Sequence, residues 1–218
     1  AHINNFAETT FREAESAFGE KGAQLFADAI AEGFDIIRQH IAAFKIDCDF
    51  ETRPGYLYAE NEDEEKQLDD IYNGAVKVGV AVEYIEDVPT PVPYKKALKF
   101  DGQAQFHPLK YLEGITAAYV KAGGVILENA LIEKVDSADG THTAVSDNRS
   151  VSAKTVIYAT HMPPNINVFN FECAPYRSYV LAVKLHSGKY PEALIYDCQE
   201  PYHYVRTHQL DGEPLLLI

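Results

Sequence analysis

The chain has 218 residues, of which 46% are hydrophobic and 24% are charged, so it can bury one sizeable core or two small ones. Its 19 Lys and Arg residues stand against 33 Asp and Glu residues, which gives a net charge of -14. This acidic balance repels phosphate backbones and anionic membranes, and it excludes nucleic acid and a membrane surface as expected partners.

Three cysteines, Cys48, Cys173 and Cys198, lie far apart without CxxC spacing. An odd number of cysteines argues against a secreted disulfide framework, so a reducing cytoplasm is the expected location. No apolar run approaches the roughly 20 residues that cross a bilayer, and the first residues lack a signal-peptide pattern. The chain opens on Ala1 and closes on the apolar stretch EPLLLI, which predicts a soluble piece from the interior of a longer protein.

The first half of the chain predicts helices and a strand pair. Residues 6–18 and 21–44 carry apolar side chains at helical spacing, and Gly19 and Gly22 interrupt this run, which predicts a helical hairpin or a bent helix. The following stretch, KIDCDFETRPGYLYAE, alternates over a short period and predicts two strands hinged at Pro54-Gly55. The apolar face predicted for the second helical stretch consists of Phe26, Ile30, Ile37, Ile41 and Phe44.

Next, NEDEEKQLDDIYNGAVKVG predicts a helix, because its acidic start complements the positive end of the helix dipole. The same acidic cluster could hold a metal, but a solvated helix start is the simpler interpretation. Three prolines in VPTPVPYKK predict an ordered connector or edge rather than a helix or a central strand.

Residues 106–164 predict a loop, a helix, a strand, a small meander and a buried strand in this order. The helix covers LKYLEGITAAYVKAGG, the first strand is VILENALIEKV, and the last is KTVIYAT. A helix followed directly by a strand implies a right-handed crossover unit, which binds ligands beyond the strand ends. Ala159, Thr160 and His161 follow the last strand, where small residues let a ligand approach the backbone.

The string FHPLKYLEGITAAYVKAGGVILENALIEKVDSADGTHTAVSDNRSVSAKTVIYATHMPP has HP before a helix, GG before a strand and a closing VIYAT. In these features it resembles the second half of the FAD domain in the glycine oxidase and D-amino-acid oxidase (DAO) superfamily. The resemblance extends over nearly the whole chain, and it includes the subgroup that carries a Rieske iron-sulfur module after the flavin domain. The chain then corresponds to an internal fragment of such a protein.

The resemblance implies FAD as the cofactor and assigns several residues to it. Ile132 matches the position where the family lays a backbone amide against adenine, although a core strand residue is an equal alternative. Ala159 and Thr160 match positions that line the cofactor, and His161 stands where the family most often has Gly. The family's GxGxxG turn does not occur in this sequence. The fragment is therefore expected to be able to fold without FAD and to be inactive by itself.

The stretch YDCQEPYHYVRTHQL predicts a substrate-facing strand. Residues two apart in a strand share a face. We therefore expect Tyr202, Tyr204 and Arg206 on one side of the strand. The other side carries His203, Val205 and Thr207. A guanidinium beside tyrosine rings suits a small carboxylate, and the resemblance places a carboxylate-binding arginine near here. The alternative for Arg206 is a surface arginine paired with an acid.

Other candidate chemistry is weaker. His107 precedes a proline at a helix start, where it either has a catalytic or flavin-facing role or fills the entry turn. Arg53 and Arg177 are secondary candidates for the carboxylate clamp. The eight histidines show no metal-binding spacing, and neither GxSxG nor an activated cysteine motif occurs, so metal and hydrolase chemistry are not expected.

These patterns predict an α+β fold with an antiparallel substrate-domain sheet and covering helices, joined to part of an α/β FAD-binding domain. Residues 1–100 and 172–218 are assigned to the substrate domain and residues 101–171 to the FAD domain. The resemblance implies oxidation of a C-N bond of an amino acid or amine, with oxygen or a downstream Rieske cluster as electron acceptor. The alternatives are a flavin dehydrogenase of a hydroxy acid and a cofactor-free fragment or protein-binding module.

Overall fold

The computed structural model describes residues 1–160 and 177–218. They form two compact units, the first made of Ala1–Tyr119 and Val180–Ile218, the second of Val120–Tyr179. The first unit therefore includes residues 101–119, which the sequence pattern placed with the cofactor domain. The assignment of residues to a substrate domain and an FAD domain stays a prediction.

Helices and strands are mixed in the first half of the chain, and only strands are described after the third helix. The helices are α1 (Phe11–Phe44), α2 (Glu62–Lys77) and α3 (Pro108–Lys121). The strands are β1 (His2–Ile3), β2 (Glu51–Ala59), β3 (Val82–Tyr84), β4 (Lys96–Gln105), β5 (Lys134–Ala138), β6 (Thr141–Val145), β7 (Ser150–Ala153), β8 (Ala182–Val183), β9 (Leu194–Asp197), β10 (Tyr204–Leu210) and β11 (Glu213–Leu217).

The long first helix is bent, as the glycines predicted. Gly19 has φ 73° and ψ 175° inside α1, a conformation that only glycine adopts readily, and the helix continues on both sides of it. The helix begins at a capping box, in which the Thr10 side chain accepts from the Glu13 N–H and the Glu13 carboxylate accepts from the Thr10 N–H. The two predicted helical stretches are thus one helix with a kink.

The stretch around Pro54 corrects the sequence prediction of two hinged strands. Glu51–Ala59 is one strand, β2, and it pairs antiparallel with β4 along its whole length. The pairing register shifts between Arg53 and Gly55. Proline has no N–H for the ladder, so the strand absorbs Pro54 as a bulge instead of turning there.

The first unit is built on an eight-stranded sheet with the order β1-β4-β2-β9-β10-β11-β8, in which β3 pairs with β4. Most neighbours are antiparallel, as predicted. The exception is β2 with β9, which run parallel in the centre of the sheet. A parallel pair needs a long connection, and 134 residues separate the end of β2 from the start of β9, a distance that local patterns do not reveal.

The core lies on both faces of this sheet. Leu57 and Leu194 pack with Leu68 of α2 on one face, whereas Tyr58 and Ile195 pack with the connector residue Val88 on the other. Successive residues of β2 and β9 thus point to opposite sides, as the period of a strand requires. The connector VPTPVPYKK forms no regular element before β4, as its prolines predicted.

The second unit has a three-stranded antiparallel meander, β5-β6-β7. The meander agrees with the short strands expected at TAVSD and SVSA, but the strands expected over residues 125–133 and 155–160 do not form. Leu131 is 80% exposed and Ile157 is 84% exposed. A strand needs a ladder of hydrogen bonds with a neighbour, and neither stretch forms one among the described residues, so the expected crossover unit is absent there.

Helix α3 forms where the sequence predicted it, but several of its large apolar side chains are open to solvent. Leu109, Leu112 and Tyr119 are each more than half exposed. Within the first unit, the helix packs through Gly114, where a Cβ would lie 2.6 Å from the side chain of Ile46. The close approach explains why a glycine stands in the middle of this helix.

Candidate functional site

A cavity of about 720 Å³ lies in the first unit, beside the sheet. The segment that precedes α1, the inner face of β9 and β10, the loop between these strands, and the end of β11 all line it. Apolar side chains such as Phe6, Phe100 and Leu217 alternate there with polar groups. Its size and mixed lining match those of small-molecule sites in proteins.

Arg206 brings a buried positive charge to this cavity. The residue is only 9% exposed, and its guanidinium donates one long hydrogen bond, 3.5 Å, to Oε1 of Gln105. Among residues 1–160 and 177–218 it forms no ion pair; the nearby Glu51 instead binds Arg53 at 3.1 Å and Gln105 at 2.6 Å. Burial lowers the pKa of Arg206, while the charges of Tyr204 and Glu51 act in the opposite direction. The guanidinium thus has most of its donors available for a ligand.

Tyr202 and Tyr204 line the cavity next to Arg206, which is the grouping that strand alternation predicted. Their rings stack with centroids 6.2 Å apart. The Tyr202 hydroxyl donates to Oε1 of Glu8 at 3.2 Å. Val205 points away and packs in the core on the other face of the sheet. The structure therefore brings the three predicted substrate residues together, while their roles stay a prediction.

The N-terminal segment supplies cavity residues that sequence reasoning missed. His2 lines the cavity, as do Asn4 and Glu8. Asn4 accepts a hydrogen bond of 2.6 Å from the Tyr196 hydroxyl. These residues precede α1 and lie about 190 positions from β9 and β10 in the chain, so only the folded sheet shows that they belong to one site.

The loop from β9 to β10 is held by a buried carboxylate. The Asp197 side chain is 3% exposed; its Oδ1 accepts from the backbone N–H of His203 at 2.8 Å and of Gln199 at 3.3 Å. Its Oδ2 lies 2.7 Å from Nδ1 of His203. Cys198 follows in this loop, and burial, together with Glu64 and Asp197, raises the pKa of its thiol to about 12. The thiol is therefore protonated at neutral pH, in agreement with the absence of an activation motif.

The remaining predicted residues of the first unit lie outside the cavity lining. His107 sits at the start of α3, where its Nδ1 accepts from the Lys110 N–H at 3.4 Å and its ring lies 5.9 Å from that of His208. This is the entry-turn position that the sequence offered as its alternative. Arg53 pairs with Glu51 and Glu192. Arg177, which belongs to the second unit, is exposed.

The residues assigned to the cofactor belong to the second unit. Ile132 is 40% exposed, and Ala159 and Thr160 are exposed on the stretch that follows β7. His161 lies outside the described residues. None of Ile132, Ala159 and Thr160 lines the cavity beside Arg206, and their assignment stays a prediction. Among the described residues, no cluster of three His, Cys, Asp or Glu side chains could bind a metal ion.

The sequence profile of one protein family spans almost the whole chain. The family is described as DAO, FAD dependent oxidoreductase, and its profile matches residues 6–217. The chain belongs to this family. Its members depend on FAD, which agrees with the cofactor that the resemblance implied.

One protein is similar to this chain in sequence, and two solved structures are similar to it in fold. YhfW of Bacillus subtilis (strain 168), described as a Rieske 2Fe-2S iron-sulfur protein, is 29% identical over 202 residues, which are 92% of this chain and 40% of that protein. The glycine oxidase of Geobacillus kaustophilus has a similar fold, with a TM-score of 0.67 at 14% identity over 99% of this chain and 58% of its own. The L-proline dehydrogenase of P. horikoshii follows, with a TM-score of 0.63 at 9% identity over 91% of this chain and 55% of its own.

The structural similarities confirm the mixed fold of helices and sheets for this DAO family chain. The chain spans 40% of the length of the curated relative and little more than half of these two structures. In the part that the structure describes, no helix has both the length and the hydropathy of a membrane span.

Proposed function

We propose that this chain carries the substrate site of an FAD-dependent oxidoreductase that oxidises the C-N bond of a small amino acid or amine bearing a carboxylate. The names of similar proteins support an amino acid, since one is a glycine oxidase and another an L-proline dehydrogenase. Family membership supports FAD as the hydride acceptor. The observation that carries the proposal is Arg206.

A buried guanidinium without an ion pair is costly, because it loses water without gaining an opposite charge. Arg206 is in this state at the wall of a cavity. A carboxylate would accept two parallel N–H bonds from the guanidinium fork and would neutralise the charge. A small carboxylate is thus the ligand that best completes this cavity.

The neighbouring tyrosines fit the same ligand. The stacked rings of Tyr202 and Tyr204 provide an aromatic wall of the cavity beside Arg206, and the Tyr202 hydroxyl is already held by Glu8. Substrate anchored at Arg206 would lie against this wall. Bound FAD would supply the hydride acceptor for oxidation of the substrate's C-N bond to an imine, which water would then hydrolyse.

The cofactor assignment is consistent with the exposed residues of the second unit. Ile132, Ala159 and Thr160 are accessible in the structure, and the small side chains of the latter two let a planar group approach the backbone. We assign these residues to FAD binding. The similarity to YhfW supports a Rieske iron-sulfur domain as the electron acceptor in the whole protein, with oxygen as the alternative.

The test uses the full-length FAD-containing protein and the rate of flavin reduction under anaerobic conditions. Glycine and L-proline serve as substrates, and glycolate tests the hydroxy-acid alternative. We expect reduction by an amino acid, and we expect Arg206→Gln to weaken substrate binding by roughly 10- to 100-fold, the range of a charge-assisted hydrogen bond. Arg206→Lys should recover part of this loss, because it keeps the charge without the fork.

The matched control is Arg38→Gln. Arg38 lies over the Phe34 ring of α1 and is not part of the cavity lining, so this variant should bind substrate as the wild type does. Unchanged affinity in Arg206→Gln would contradict the proposal. Reduction by glycolate but by neither amino acid would favour the hydroxy-acid dehydrogenase instead.

A further inference from the structure

A carboxylate lies at the open end of the cavity that holds Arg206 at its buried end. Glu8 lines this cavity together with Arg206, and Glu8 is exposed whereas Arg206 is only 9% exposed. Within the described residues, the Glu8 carboxylate makes one hydrogen bond, from the Tyr202 hydroxyl at 3.2 Å, and no ion pair. An ionised carboxylate has about four acceptor sites, so most of those on Glu8 are available for a ligand.

Two tyrosine rings connect the two charged groups. Tyr204 lies between Tyr202 and Arg206 in the chain, and the rings of Tyr202 and Tyr204 stack with centroids 6.2 Å apart. Exposure rises along this wall from Arg206 to the half-buried Tyr204, and then to Tyr202, which is 49% exposed. The wall therefore runs from the buried guanidinium to the Glu8 carboxylate at the mouth of the cavity.

The separation of the two charges limits which group of a substrate can meet each of them. An extended chain rises by about 3.3 Å per residue, so four residues place Tyr202 and Arg206 up to about 13 Å apart, and the Arg206 and Glu8 side chains span part of this distance. The α-amino group of an amino acid is bonded to the carbon next to the carboxylate, so it stays near Arg206 when the carboxylate binds there. A group at the far end of a side chain can reach toward Glu8, and the cavity volume of about 720 Å³ accommodates such a ligand.

The charges at the mouth of the cavity favour a cation. Glu8 and Glu200 both line the cavity and are exposed, and Arg206 is the only Lys or Arg among the described residues that line it. Since opposite charges attract and like charges repel, a positive group is favoured near Glu8 and disfavoured near Arg206. The faces of the two tyrosine rings also attract a cation. A ligand with a carboxylate at one end and a positive charge at the other thus matches the cavity at both ends.

We propose that Glu8, with the rings of Tyr202 and Tyr204, binds the positively charged end of a substrate side chain, so that the site prefers basic amino acids such as lysine. This inference rests on the proposed carboxylate site at Arg206 and names the side chain of the substrate. Arg206 is the anchor that all amino acids share, and Glu8 determines which side chain is preferred. The carboxylate at the mouth has no role for a substrate such as glycine, which lacks a side chain.

The experiment measures substrate dissociation constants with the full-length FAD-containing protein, from the concentration dependence of anaerobic flavin reduction. The probes are lysine and norleucine, which share one carbon chain and differ in the terminal ammonium group, and both enantiomers of each are used. We expect the wild type to bind lysine more tightly than norleucine. Glu8→Gln keeps an oxygen for the Tyr202 hydroxyl but removes the charge, and it should lower this preference by roughly fivefold, the upper range for a solvent-accessible ion pair.

Two further variants test the charge itself. Glu32→Gln removes the same charge from an exposed position of α1 outside the cavity lining, and it should keep the preference of the wild type. Glu8→Lys reverses the charge at the mouth, and it should favour 2-aminoadipate, whose side chain ends in a carboxylate, over lysine. A salt concentration of 1 M should weaken the preference of the wild type, because the Debye length then falls to about 3 Å.

The outcomes separate this inference from the proposed function. Equal weakening of lysine and norleucine binding in Glu8→Gln would show that Glu8 only holds Tyr202 in place and would overturn the inference. A wild type that prefers norleucine, or a Glu8→Gln variant with an unchanged preference, would also overturn it, while reduction by glycine or L-proline would leave the Arg206 site standing. If no amino acid reduces the flavin, or if Arg206→Gln leaves the binding of every amino acid unchanged, the proposed function itself fails.

Discussion

Asp197 closes the loop that carries Tyr202 and leads into the strand of Tyr204. Its carboxylate binds two backbone N–H groups and one imidazole within the loop 197–203, and the Asp197 N–H in turn donates to the carbonyl of His203 at 3.2 Å. These hydrogen bonds close the loop, which contains Tyr202 and leads into β10. A carboxylate that accepts several N–H bonds rigidifies a loop, because each bond removes backbone freedom. Asp197 therefore positions the aromatic wall without being part of it.

Replacing the Asp197 carboxylate should show how much its hydrogen bonds with backbone N–H groups stabilise the protein. Asp197→Ala leaves buried N–H groups without an acceptor, and we expect the free energy of unfolding to fall by roughly 1–3 kcal/mol. Asp197→Asn retains an oxygen for the two backbone donors and should lose less. Urea denaturation of both variants measures the difference, and Asp63→Ala, at the exposed start of α2, serves as the control. Equal losses in the two Asp197 variants would contradict this role for the backbone hydrogen bonds.

At the scale of single residues, the sequence predicted what strand alternation alone determines. Tyr202, Tyr204 and Arg206 share a face because their spacing is two, and this face turned out to line the cavity. His2 could not be found in this way, since its neighbours Tyr196 and Tyr204 lie about 200 positions away in the chain. A polar residue at the buried end of β9 was the one local signal that could have indicated Asp197.

Among the elements, α1 shows how one residue determines the direction of a helix. Gly19 adopts a backbone conformation that is essentially restricted to glycine, and nothing lies within 4 Å of the position where its Cβ would be. Gly33 lies in the same helix with equally open surroundings but without a positive φ. The two glycines therefore differ in backbone conformation and not in available space.

This difference predicts opposite effects of the same substitution. We expect Gly19→Ala to destabilise the protein by about 1–3 kcal/mol, because alanine is strained at positive φ. Gly33→Ala should stabilise it by about 0.5–1 kcal/mol, because alanine loses less backbone entropy in a helix. Thermal unfolding of the two variants beside the wild type measures both effects. A stabilised Gly19→Ala variant would mean that the bend is not imposed at this residue.

Elements with local signals were predicted well, and those that depend on distant partners were not. Asn61 caps α2, since its side chain accepts from two N–H groups of the first turn, and the acidic start of this helix was visible in the sequence. By contrast, VILENALIEKV and KTVIYAT have strand composition, yet residues 125–133 and 155–160 form no strand. Composition gives a segment the capacity to be a strand, but a hydrogen-bonded neighbour makes it one.

In the whole molecule, the groups whose titration affects stability are unevenly distributed. A hydrogen bond from Lys110 lowers the pKa of Asp49, and hydrogen bonds from Lys96 and then Tyr84 lower that of Asp69. Such carboxylates stabilise the fold above the pKa of the unfolded chain, and this stabilisation is lost as the pH falls through the lower folded values. These groups lie in the first unit, so strong acid should act there first.

Two histidines extend this acid sensitivity to milder conditions. Burial, followed by the charge of Arg206, lowers the pKa of both His2 and His208, and His107 adds to the effect on His208. Below about pH 6.5 the unfolded chain binds protons at these histidines that the folded chain does not bind, so stability falls as the pH falls. For His2 this slope is at most about 1.4 kcal/mol per pH unit, and solvent screening makes the contribution of the less buried His208 smaller.

Hydrogen exchange at pH 7 and pH 5 can resolve this effect by region. After correction for intrinsic exchange rates, we expect amides of β2, β4 and β9 to lose protection at pH 5, because the histidines act on the first unit while most carboxylates remain ionised. His2→Phe has no group to protonate at this position and should lose less protection. The meander β5-β6-β7 is the internal reference, since neither histidine lies in its unit. An equal loss in the meander, or an unchanged pH response in His2→Phe, would show that burial of these imidazoles does not control the acid stability of the sheet.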